Sequence, residues 1–261
     1  MLLNYERRGN GEPLLLLHGT GSHLQVWYPV MDMLACVYNV IAIDLPGHGK
    51  SPLPDGSLPP TPHGFAEVLA AFLDHLSIET AHVVGNSVGG WTAFELAKRG
   101  RVRSVIAFSP AGLWHSRAPL YDVVSFRVSH RLARMLGRMT PLVVSSSMGR
   151  ALFLSQMVAR PGKISPEVAA DMIVTFAQAP GFDIHFTATI HECFQSGQNI
   201  RIPVTVAWGQ HDRILLPHLA RYREELPAQT RWIELRGCGH VPMYDDPDQV
   251  VQTVLQGSEV E

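Results

Sequence analysis

The stretch Val83-Val84-Gly85-Asn86-Ser87-Val88-Gly89-Gly90 joins a short apolar run to a segment with helical patterning, Gly90–Arg99. A serine framed at two residues on either side by glycine suits a sharp strand-to-helix turn. Glycine admits backbone angles and close approaches that a Cβ would block, so the turn thrusts the serine hydroxyl outward. The helix behind it begins with free amide donors and the positive end of its dipole, an environment that stabilises a developing oxyanion. The five-residue pattern alone is weak, and its strand-turn-helix setting gives it meaning.

Outward from this turn, short apolar runs alternate with longer amphipathic ones, as in a parallel sheet wrapped by helices. The runs predict strands at Leu2–Arg7, Leu14–Leu17, Asn39–Asp44, His82–Gly85, Ser104–Phe108, Val204–Trp208 and Arg231–Leu235. Several are nearly continuous in apolar residues, as strands buried on both faces require. Helices are predicted at Val26–Ala35, Gly64–Leu76, Val88–Arg99, Pro217–Glu225 and Pro247–Leu255. The Pro-rich stretch Pro52–Pro62 reads as a surface loop.

The alternation stops after Ser109. Residues 113–198 predict only helices, at Tyr121–Met139, Leu142–Ala159, Pro166–Ala179 and Asp183–Gln195, separated at Pro141, Pro161 and Pro180-Gly181. So long an insertion between two core strands is too much for a loop and reads as a helical cap. The expected organisation is a core of residues 1–112 and 199–261 with a cap at 113–198. The fold class is α/β, with a mostly parallel sheet of about seven to eight strands flanked by helices.

A serine hydroxyl is a poor nucleophile unless a base takes its proton and a third group orients that base. Both partners follow in the chain. Gly209-Gln210-His211-Asp212 puts an acid after one strand, and Gly237-Cys238-Gly239-His240 puts a histidine after the next. Strand carboxyl ends form the ligand crevice of an open parallel sheet, so Ser87, Asp212 and His240 can converge there. The competing acid position, after Phe108, holds Ser109, Pro110 and Ala111 and offers no carboxylate.

Composition narrows the classes further. A chain that is 46% hydrophobic and 17% charged can bury a core and is poor in charge for a disordered one. Lys plus Arg is 21 against 23 for Asp plus Glu, without the positive excess that a nucleic-acid binder needs. The three cysteines (Cys36, Cys193, Cys238) lie far apart and form no CxxC. That argues against a disulfide framework or zinc site and for a reducing compartment. His185, His191, His211 and His218 lack metal-ligand spacing, so neither metal nor cofactor is expected. The opening MLLNYERRGNGEP has no basic segment followed by a long apolar one, and no stretch suits a membrane span. A cytoplasmic location is expected.

The ordered motifs resemble the α/β-hydrolase superfamily: His18-Gly19-Thr20-Gly21, then Asp44-Leu45-Pro46-Gly47-His48-Gly49, then Gly85–Gly90, then Gly209–Asp212, then Gly239-His240. The likeness runs from about residue 2 to residue 255, with the insertion where that family carries its cap. It implies Ser87 as nucleophile, His240 as general base and then acid, and Asp212 as its orienter. It also implies an oxyanion hole made by the backbone amides of Thr20 and Val88. His18, Asp44 and His48 are implied to shape loops.

Structural roles remain open to the same residues. Ser87 would serve as a small residue between close-packed elements, Asp212 as an Asx turn or helix cap, and His240 as a loop histidine. Cys238 reads as a packing residue rather than a second nucleophile.

The resemblance leads to a serine hydrolase of carboxylic esters or related acyl compounds, acting through an acyl-enzyme. Serine at the elbow excludes the superfamily's aspartate-nucleophile members, the haloalkane dehalogenases and epoxide hydrolases. The Gly-Asn-Ser-x-Gly-Gly elbow is similar to that of the meta-cleavage-product hydrolases, so a carbon–carbon bond hydrolase is the alternative. The chain departs from them at HGTGSH and at Val241. A non-catalytic ligand-binding protein on the same fold is a third reading.

In the insertion, Val124, Val128, Leu132, Met135, Leu136 and Met139 fall on one helical face and Arg127, Arg131, Arg134 and Arg138 on another. The apolar face, with Met148, Phe153 and Met157, is a candidate roof for an acyl or alcohol pocket, or ordinary core. Between His115 and Lys163 eight Lys/Arg accompany one acid. This is either a solvated face or a surface for an anionic substrate, a carrier protein or a membrane surface.

Overall fold

Alternate residues of one short run, Leu14 and Leu16 against Leu15 and Leu17, enter two separate apolar cores, and this division organises the molecule. The computed structural model describes residues 2–54, 56 and 58–259. Its strands are β1 (Tyr5–Arg8), β2 (Pro13–Leu17), β3 (Asn39–Ile43), β4 (Ala81–Asn86), β5 (Val102–Phe108), β6 (Val204–Gly209) and β7 (Arg231–Leu235). Among the described residues they form one seven-stranded sheet in the order β1-β3-β2-β4-β5-β6-β7. Edge strand β1 runs antiparallel to β3, and every other pairing is parallel.

Every residue of β3, β4 and β6 is buried, so both sheet faces must be covered. The helices are α1 (Tyr28–Ala35), α2 (Pro62–His75), α3 (Val88–Ala97), α4 (Leu120–Leu136), α5 (Thr140–Ser145), α6 (Ser147–Leu154), α7 (Pro166–Gln178), α8 (Phe182–Thr189), α9 (Pro217–Ala220) and α10 (Pro247–Ser258). Phe65, Leu69 and Phe72 of α2 and Trp91 and Phe94 of α3 pack against Leu15, Ile41 and Val83 on one face. On the other, Val30, Met31 and Leu34 of α1 and Val250 and Val254 of α10 meet Leu14, Val40 and Ile106. No helix among the described residues is long and apolar enough to cross a membrane.

The chain leaves β2 toward β3 and later returns to place β4 on the other side of β2. The loops after β2 and β4 therefore diverge and leave a crevice at the sheet's carboxyl edge, the switch point where such folds bind ligands.

All seven expected strands form, and the helical ends account for most differences. The expected helix 142–159 is two: Ser146 is extended, and its hydroxyl accepts from the Gly149 amide to start α6 afresh. Segment 183–195 stops at Thr189 because the chain beyond turns back to the core, where Phe194 donates to the Gly112 carbonyl. Segment 217–225 is helical only to Ala220, and the Tyr222 amide bonds to the Leu113 carbonyl instead. In the expected 52–62 loop, Asp55 and Ser57 lie outside the described residues. The others up to Thr61 form neither helix nor strand, and α2 starts at Pro62.

The larger correction concerns α4. None of its apolar stripe lines the Ser87 pocket: Val124, Val128, Leu132 and Met135 are largely exposed, as are Met139 beyond its end and Met148, and only Val128 and Leu132 border the adjoining cleft between α4, α6 and α7. The inward positions are Asp122, Phe126, His130 and Ala133. The His130 ring stacks on Phe182 with centroids 3.6 Å apart, and Phe126 lies 5.1–5.7 Å from Phe176, Phe182 and Phe186. Burial lowers the His130 pKa, so the ring packs as a neutral aromatic and competes for the inner face with the aliphatic stripe.

Candidate active site

Ser87 stands at the junction of β4 and α3 with φ 56° and ψ −121°, a conformation that L-residues rarely adopt. The surrounding backbone holds it there. Its amide donates to the Phe108 carbonyl, and its carbonyl accepts from the amides of Gly90, Trp91 and Ala111. A Cβ on Gly89 would lie 2.2 Å from the Leu17 carbonyl oxygen, so only glycine lets α3 approach β2 this closely.

The loop after β2 closes on the same point. A Cβ on Gly19 would lie 3.0 Å from the Ser87 Cβ. His18 shapes this loop: its Nε2 accepts from the Leu45 amide at 3.0 Å and its Nδ1 donates to the Gly19 carbonyl at 2.8 Å. Complete burial pushes the His18 pKa down to about 3, so the ring is a neutral brace. Asp44 is likewise consumed by architecture, accepting from the side-chain amide of Asn4 and the backbone amides of Leu24 and Lys50. His48 is fully buried with its pKa well below the ordinary value, because burial disfavours the charged ring.

Asp212 follows β6, and its carboxylate is saturated. Oδ1 accepts from the amides of Ile214 and Leu215, both at 2.9 Å, and Oδ2 pairs with Nδ1 of His240 at 2.9 Å. The Asx turn expected as the bland role of Asp212 is therefore present, and it aims the second oxygen at His240. With Nδ1 bonded to a carboxylate, Nε2 is the nitrogen left to accept a proton. His240 lies in the loop after β7. Its carbonyl accepts from the Asn86 side-chain amide at 2.9 Å, which ties this loop to the residue before Ser87.

Ser87, Thr20 and Val88 line one narrow pocket of about 50 Å³. Val88 opens α3, so its amide is among those with no carbonyl partner inside the helix. Trp114, Phe126, Phe186, Ile190 and Ile214 supply apolar walls. Phe126 and Ile214 also border a cleft of about 410 Å³ between α4, α6 and α7, where Phe153 and Met157 contribute. Cys238 is buried with its thiol pushed up to about 12, chiefly by burial with Asp245 and Asp246 adding, the reverse of what activates a nucleophile.

Three residues escaped the sequence reasoning. Asn86 was legible only as part of the elbow motif. Asp245 accepts from the amides of Ala159, Arg160 and Gly239 at 2.8–2.9 Å, fastening the inserted helices to the His240 loop. Asp122 lines the Ser87 pocket, and its one signal was being the sole acid between His115 and Lys163.

A family model described as alpha/beta hydrolase fold matches residues 12–247. The chain is 32% identical over 190 residues to epoxide hydrolase EphH of Mycobacterium tuberculosis, covering 70% of this chain and 87% of that protein. It is 45% identical over 114 residues to the dihydrolipoyllysine-residue acetyltransferase component of the acetoin cleaving system of Cupriavidus necator, covering 42% of this chain and 30% of that protein. Naproxen esterase (carboxylesterase NP) from Bacillus subtilis superposes with a TM-score of 0.76 at 22% identity, covering 97% of this chain and 86% of the other, a likeness of fold.

Proposed function

The chain belongs to the α/β-hydrolase family, a family of hydrolases, and from that premise we propose that it cleaves small carboxylic esters by a serine mechanism. The observation that carries this reading is the 2.9 Å pair of His240 and Asp212, held by Asn86 beside the strained Ser87 turn. His240 Nε2 takes the Ser87 proton as Oγ bonds to the ester carbonyl carbon, and the carbonyl electron pair moves onto oxygen. The amides of Thr20 and Val88 receive that oxyanion. As it collapses the alcohol leaves with the proton from His240, and an acyl ester remains on Ser87. Water, giving its proton to His240, repeats the cycle and releases the acid. Asp212 keeps the ring in the required tautomer. Residues 113–198 act as a cap over this site, and the substrate is a small-molecule ester.

The relative named as an epoxide hydrolase does not carry its reaction to this chain. A serine oxygen that opened an epoxide would form an ether, which has no carbonyl for water to attack. The carbon–carbon alternative rests on the elbow motif alone.

Intact mass after incubation with a fluorophosphonate tests the proposal, with Ser87→Ala as control, alongside turnover of p-nitrophenyl acetate and butyrate. One adduct on Ser87, with turnover lost in Ser87→Ala, is expected. Full turnover in Ser87→Ala would overturn the mechanism. Hydrolysis of a vinylogous diketone far above that of any ester would move the chain to the alternative.

A further inference from the structure

The first turn of α4 carries Asp122 into the pocket that holds Ser87. Asp122 is 5% exposed, and neither carboxyl oxygen has a hydrogen-bond partner. Native proteins rarely bury a carboxyl group with both oxygens idle, because water that would have solvated it is gone. An acid in the first turn of a helix has an ordinary explanation, attraction to the helix's free amides. Such an acid bonds those amides or faces water, and Asp122 does neither. The titratable groups that act on it are Asp212 and His240, which are bonded to each other. Thr189, another polar residue of the lining, already donates to the His185 carbonyl.

We infer that Asp122 is a substrate-recognition residue, which accepts a hydrogen bond from a hydroxyl or ammonium group that the substrate carries close to its scissile carbonyl. This rests on the proposed ester hydrolysis at Ser87, and it names the substrate class of that site: short hydroxy- or amino-esters rather than plain alkyl esters. Because Asp122 and Ser87 line the same pocket, the donor sits within a few atoms of the carbonyl. Desolvation, with the Asp212 charge adding and His240 opposing, raises the Asp122 pKa to about 7. Both forms then exist near neutrality. A substrate hydroxyl satisfies either, and an ammonium satisfies the ionised one.

Asp122→Asn and Asp122→Leu test the inference at two levels. Without ligand, both variants are expected to melt above the parent protein, since they remove a buried charge that the fold does not use. A lower melting temperature in both would mean that the carboxyl group holds the fold together, and would overturn the inference. For substrate, kcat/KM is measured on p-nitrophenyl butyrate and p-nitrophenyl 3-hydroxybutyrate, and on the 3-aminobutyrate ester. The parent protein is expected to favour a donor-bearing ester by about tenfold or more, as a hydrogen bond to a charged group supplies. Asp122→Leu should erase that ratio. Efficient turnover with no preference for either donor would overturn the inference.

A binding arm separates this outcome from failure of the hydrolase reading. In Ser87→Ala, methyl 3-hydroxybutyrate or methyl 3-aminobutyrate should raise the melting temperature more than methyl butyrate, and in Ser87→Ala/Asp122→Leu equally. If no ester is turned over while this difference persists, ester hydrolysis falls and donor recognition stands.

Discussion

The side-chain amide of Asn86 donates to the carbonyl oxygen of His240 across 2.9 Å and to that of Phe108 across 3.1 Å. One residue of β4 thus ties the end of β5 to the His240 loop, and it immediately precedes Ser87. The position of His240 relative to the serine depends on this bridge as well as on Asp212.

Asn86→Ala leaves the His240 carbonyl without its donor, while the Phe108 carbonyl keeps the Ser87 amide, and should lower stability by about 1–3 kcal/mol. Urea unfolding reads that loss. The His240 loop is also freed from the elbow, so ester kcat should fall more than KM rises. An unchanged kcat in a folded Asn86→Ala protein would mean that Asp212 alone positions His240.

Asp122 makes stability depend on pH in a direction opposite to that of most acids. Its folded pKa, about 7, is raised above the unfolded value by burial and by Asp212, with His240 opposing. Between about pH 4 and pH 7 the folded state binds the extra proton, so this group's contribution is full below that window and is lost as pH rises through it. Asp122→Asn does not titrate. Its melting temperature should exceed that of the parent protein by more at pH 8 than at pH 5, as scanning fluorimetry at both values would read. A gap that is constant or narrows with pH would contradict this assignment.

Cys238 lies two residues from His240 yet should be inert in the native protein, because its thiol is pushed up to about 12. Brief iodoacetamide treatment followed by peptide mass mapping should label the exposed Cys36 and leave Cys238 unmodified. Cys238→Ala should retain ester turnover. Fast labelling of Cys238 accompanied by inactivation would point to a thiolate at the site.

Much of this architecture was legible in the chain. The inner strands, β2 to β6, were readable because burial on both faces demands runs such as Leu14–Leu17 and Val204–Trp208, which little else in a folded protein resembles. Ser87, Asp212 and His240 were readable because each follows a strand, and parallel strands send their carboxyl ends to one edge. The helix ends after Thr189 and Ala220 were not readable, since tertiary bonds to Gly112 and Leu113 decide them.

The sequence by itself determined the alternating architecture, the glycine-framed turn at Ser87 and the order of the three candidate catalytic side chains. These depend on local sterics and on hydrophobic period, both written in neighbouring residues. Only the tertiary structure decided which face of α4 turns inward, that Asn86 and Asp245 clasp the His240 loop, and that Asp122 enters the pocket unpaired. Burial and pairing are relations between segments distant in the chain. A helix with an aliphatic stripe and an aromatic-lined polar stripe has two candidate inner faces, and the surface it docks against makes the choice.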